Sequence, residues 1–65
     1  MTRNPPPLRR MFDVLTACPW DTADLRIDHL AETLVARGMT RADAQATAVD
    51  AHAKWDAATR MMDPL

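Results

Sequence analysis

Cys18, His29 and His52 are the side chains of this sequence best suited to covalent or acid–base chemistry, and Cys18 is its only cysteine. A thiol needs a base within hydrogen-bond reach to become a nucleophile, and nothing in the spacing of these three positions brings them together. His52 and Asp56 share a helix face at i, i+4, a spacing that can hold a metal. A structural zinc site takes four ligands, and no second pair completes this one. Gly38 is the only glycine, so there is no glycine-rich loop to cradle a phosphate. The residues therefore predict no enzyme, no catalytic group, no cofactor and no metal.

Cys18-Pro19-Trp20-Asp21 is similar to the CPWD segment near the start of the MazG-type nucleotide pyrophosphohydrolases, where it also follows a helix. The resemblance covers those residues alone. The family's catalytic part looks like paired glutamates at helical spacing, with a further acidic pair on a later helix, holding magnesium for attack on a triphosphate. Here Asp28 and Glu32 stand singly, and Asp43, Asp50 and Asp56 follow without a paired motif. Magnesium wants several oxygens converging in near-octahedral geometry, and these spacings do not supply them. No residue is carried over from the family.

The remaining chemistry is charge. Arg3, Arg9 and Arg10 make the first twelve residues wholly basic. Asp13, Asp21, Asp24, Asp28 and Glu32 then face only Arg26 over the next twenty. Asp24, Asp28 and Glu32 recur at i, i+4, i+8 along one side of a helix. Acids in a first turn complement the helix dipole; the sharper expectation is an acidic strip that meets a basic surface on a partner. Asp50–Lys54 and Asp56–Arg60 read as favourable i, i+4 pairs on a solvated flank.

Three helices are needed to position these groups. Prolines 5, 6 and 7 make residues 1–7 an extended arm, and Pro7 can open a helix because its missing N–H costs nothing there. Leu8, Met11, Phe12 and Leu15 follow at i, i+3, i+4, i+7, an amphipathic signature running to about Ala17. Pro19 stops it. Asp21 or Thr22 caps a second helix whose buried stripe is Ile27, Leu30, Ala31 and Leu34, with Val35 at its margin. Gly38 sits where a helix ends in a left-handed residue, and Thr40-Arg41-Ala42-Asp43 opens a third helix with a short-acid capping box. The predicted fold is all-α: a small three-helix domain over 8–65, with a short N-terminal helix packed on a helical hairpin. Phe12, Leu15, Ile27, Leu30, Leu34, Val49 and one tryptophan are its expected core.

The third helix carries the functional expectation. At about 100° per residue, Ala44, Ala48, Ala51, Trp55, Ala58 and Met62 fall on one line. Ala42, Ala46, Val49, Ala53 and Ala57 fall on nearly the opposite one. A surface helix normally buries a single stripe, so a second stripe asks for a second surface. Trp55 stands on alanines that let another backbone come close, and tryptophan is enriched at binding hot spots. Met62 extends that line. Leu25 points away from the Ile27–Leu30–Leu34 face and can join the contact. Trp55, Met62, Leu25, Asp24, Asp28 and Glu32 are thus the expected partner-binding residues.

Size and charge agree with that expectation. A chain of 65 residues buries only about 60% of its unfolded surface, and much of the 48% hydrophobic content is alanine. Small folds compensate with disulfides, metals or association; one cysteine and no ligand cluster leave association, with a protein partner or a second copy. A net charge of −1 gives no general pull toward nucleic acid or acidic membrane. Arg9-Arg10-Met11-Phe12 and Leu15-Thr16-Ala17-Cys18 look like fragments of export signals, but the apolar stretch of such signals is missing, and a cytoplasmic location is expected. The function expected is a small non-enzymatic protein-binding module, a regulator or inhibitor of a larger protein or a subunit of an assembly. The alternative is a helix-turn-helix DNA-binding regulator over Leu30–Val49. Arg37, Arg41 and Gln45 could reach bases there, against Asp43 and Asp50, which repel phosphate.

Overall fold

The structure is a computed structural model that describes residues 6–62; residues 1–5 and 63–65, most of the expected arm and the last residues of the expected domain, lie outside it. The described residues form α1 (Leu8–Ala17), α2 (Ala23–Ala36) and α3 (Arg41–Met62), with no strand among them. The all-α three-helix expectation is met.

Each helix ends for a local reason. Pro7 lies just outside α1, at φ −55° and ψ 148°, and its carbonyl accepts from the Arg10 N–H at 2.9 Å and the Met11 N–H at 3.3 Å. It caps the helix, one position earlier than the opening residue expected. Thr22 caps α2, its Oγ1 accepting from the Leu25 N–H at 3.3 Å. At the other end of α2 the Met39 N–H donates to Leu34 O at 3.2 Å and the Gly38 N–H to Val35 O at 3.0 Å. With Gly38 at φ 107°, this is a complete Schellman turn. Thr40 Oγ1 accepts from the Asp43 N–H at 3.2 Å and starts α3.

The core lies between α2 and α3 and is roofed by α1. Its buried members are Met11 and Leu15 from α1, Leu30, Ala31 and Leu34 from α2, Met39 from the turn, and Ala44, Ala48 and Ala51 from α3. Val14, Ile27, Val35 and Trp55 pack partly buried against it. Alanines along one helix allow a facing helix to approach more closely than larger side chains would. The one tryptophan expected in the core is Trp55, partly buried, while Trp20 is 50% exposed. The expected core is corrected in two places. Val49 is 47% exposed. Phe12 is half-buried and outside the cluster, because α1 is rolled to present Met11, Leu15 and Val14.

At 1.5 Å per residue, α3 runs about 33 Å and α2 about 21 Å. The longer helix therefore outruns its partner, which gives an elongated molecule of 45 × 20 × 16 Å. No described helix is long and apolar enough to cross a membrane.

Candidate functional site

Trp55 is where the three helices meet. Its indole Nε1 donates to Thr16 Oγ1 of α1 at 3.1 Å. The Arg26 guanidinium of α2 lies over the ring, with Cζ 5.0 Å from the centroid. On α3 itself the His52 ring stands 5.6 Å away, tilted by 40°. The alanine line below Trp55 is equally committed, since Ala44, Ala48 and Ala51 are at most 1% exposed. The backbone that comes close to these alanines is therefore α2 of the same chain. That corrects the expectation of a free stripe under Trp55.

The opposite line of α3 has no such cover. Ala42, Ala46, Val49, Ala53 and Ala57 are all exposed. Asp50–Lys54 (3.0 Å) and Asp56–Arg60 (3.2 Å) pair along the same helix as expected. Met62 ends α3, and its side chain lies outside the described residues.

On α2, Leu25 is 45% exposed in the first turn, and Asp24 and Asp28 are exposed beside it. Glu32 differs from these two: its Oε1 accepts from Arg41 Nη1 at 3.0 Å, an exposed pair that ties α2 to the start of α3. Such exposed pairs are worth about 0–1 kcal/mol. Glu32 thus has a basic partner within the chain, unlike Asp24 and Asp28. The free acidic group is Asp21, Asp24 and Asp28, none of which forms an ion pair among the described residues.

The candidate chemistry stays apart. Cys18 is half-buried at the end of α1, and its thiol has no hydrogen bond among the described residues. His29 lends its carbonyl to Thr33 Oγ1 at 3.0 Å. His52 Nε2 is buried without a hydrogen-bond partner, a polar atom left unsatisfied against Trp55. No group of three or more His, Cys, Asp or Glu among the described residues is placed to hold a metal.

Two features carried no signal in the sequence. One is the stacking of Arg26 on Trp55, because residues twenty-nine positions apart meet only through the crossing of α2 and α3. The other is a groove of about 230 Å³ between α1 and α2. Its floor is closed by the buried Met11, Leu30 and Leu34, and Val14 lines it from α1. Arg10 and Arg37 stand on its rim, with Asp13 and Thr33. Neither arginine forms an ion pair among the described residues.

The described residues thus form a small all-α three-helix domain. Comparison with protein-family models, with curated proteins and with solved structures finds no match to this chain.

Proposed function

We propose that this protein is a small non-enzymatic protein-binding module, working as a regulator or inhibitor of a larger protein or as a subunit of an assembly. The observation that carries the reading is the outer face of α3. Val49 stands nearly half exposed at the centre of a line of exposed alanines, while the opposite line of the same helix is consumed by the core. Water gains nothing from that face, and a helix laid along it would lose little side-chain entropy, since alanine has none to lose. Trp55 moves from the contact surface to the framework that holds α3 in place. Cytoplasmic location belongs to the same reading.

Photo-crosslinking tests it. A photoreactive phenylalanine analogue is placed at Ala46, Val49 or Ala53, with Glu32 as the control position, in the cells that make the protein. A discrete adduct from the α3 positions, absent from the control, supports the reading. No adduct, or the same ladder from every position, overturns it. A gel shift run alongside addresses the helix-turn-helix alternative, in which a DNA complex forms and weakens steeply with salt.

A further inference from the structure

Few contacts hold α1 to the other two helices. Among the described residues it adds Met11 and Leu15 to the buried cluster, with Val14 packed partly against them. Phe12 stays half-buried outside that cluster, and Leu8 is exposed. No ion pair leaves α1 among the described residues. Its hydrogen bond to another helix is that of Thr16 with Trp55, on an exposed edge. The groove along α2 shows that the two helix surfaces do not close on each other between Pro6 and Val14.

The hairpin of α2 and α3 is tied more firmly. The Gly38 turn closes with two hydrogen bonds, Arg41 pairs with Glu32 across it, and Leu30, Ala31 and Leu34 share one buried cluster with Ala44, Ala48 and Ala51. Residues 19–21, which connect α1 to α2, make no hydrogen bond among the described residues. A helix of 10 residues is marginal on its own in water, so α1 gains chain entropy by melting once it leaves the core. We infer that α1 is a hinged cover, which lifts and melts as one unit while the α2–α3 hairpin stays folded. Lifting uncovers Leu30 and Leu34, which are 0% exposed beneath it, and frees the Trp55 indole from Thr16. The outer line of α3 is the same in both states. The chain thus has a covered and an uncovered form that differ in one apolar face, separate from the face assigned to a partner above.

Native-state hydrogen exchange on the full chain tests it, residue by residue, where the rate reports the opening equilibrium. The amides of residues 12–17 should share one protection factor, at least about ten-fold below that of the Leu34 and Ala48 amides. Low concentrations of denaturant should reduce it further, because a unit that melts exposes new surface. Gly38→Ala separates this opening from global unfolding, since it strains the hairpin equally in the covered and uncovered forms. It should cut protection in α2 and α3 by about five- to thirty-fold and leave α1 unchanged. Equal protection in all three helices, or an α1 that follows the hairpin in Gly38→Ala, means that α1 leaves only when everything unfolds and overturns the inference. Protection that grades smoothly along α1 and ignores denaturant means fraying, and overturns it as well.

Discussion

Replacing Ala48 by leucine tests the packing on which everything else here depends. Ala48 is fully buried in the cluster shared with Leu30 and Leu34, and Ala46, two residues earlier, faces solvent. Leucine and alanine have similar helix propensities, so the same substitution at both positions isolates tertiary packing from the helix itself. Three added carbon atoms would each contribute about 0.8 kcal/mol if there were room for them. Between closely packed helices there is none, and overpacking of this kind costs about 1–3 kcal/mol. At about 0.05–0.15 kcal/mol per residue, a chain of 65 residues holds roughly 3–10 kcal/mol in total. In thermal unfolding followed by circular dichroism, Ala48→Leu should therefore lower Tm by roughly 5–20 °C. Ala46→Leu should stay within about 0.5 kcal/mol of the wild type at low concentration. Equal effects at the two positions, or a neutral Ala48→Leu, would refute the assignment of the Ala44–Ala48–Ala51 line to a tight intramolecular seam.

Two further substitutions address the ends of that seam. Gly38→Ala places a Cβ at φ 107°, in the left-handed region, and should cost about 1–2 kcal/mol in chemical denaturation without altering helix content at low denaturant. Trp55→Phe removes the hydrogen bond to Thr16 and weakens the stacking of Arg26. It should cost about 1–2 kcal/mol, and in a double-mutant cycle with Thr16→Val the losses should fall short of additive; strict additivity would dissolve the proposed coupling of α1 to α3.

The helices were legible in the sequence because independent local signals agreed on their limits. Thr22, Gly38 and Thr40 each occupy the cap position their chemistry suits, and the ion pairs of α3 fall at their expected spacing. Which side of α3 faces inward was not legible. Both lines are mainly alanine, so hydrophobicity does not separate them, and valine looked like the better core residue. Close helix packing inverts that preference: the seam takes alanine because alanine is small, and the bulkier Val49 is left outside. Met39 was missed for a different reason. It follows the left-handed glycine, the position from which a Schellman turn directs a hydrophobic contact back onto the helix, here toward Leu34. Of the expected site residues, Leu25, Asp24 and Asp28 are exposed as helical spacing suggested, whereas Glu32 and Trp55 are engaged by Arg41 and Thr16 through tertiary contacts that spacing does not encode.

An alanine seam also leaves something undecided that larger side chains would fix. Interlocking leucines specify how far one helix may slide along another, because a shift of one turn, about 5.4 Å, drives knobs out of their holes. Here α3 brings only methyl groups to the seam, so the knobs that resist such a shift are the few on α2, chiefly Leu30 and Leu34. In this chain the alignment of α2 against α3 is therefore reinforced at its two extremities. The Gly38 turn fixes one of them, and Trp55, held between Thr16 and Arg26, fixes the other. Loosening either end weakens the alignment of α2 on α3, so changes at Gly38 or Trp55 act on the position of the outer face of α3 as well as on stability.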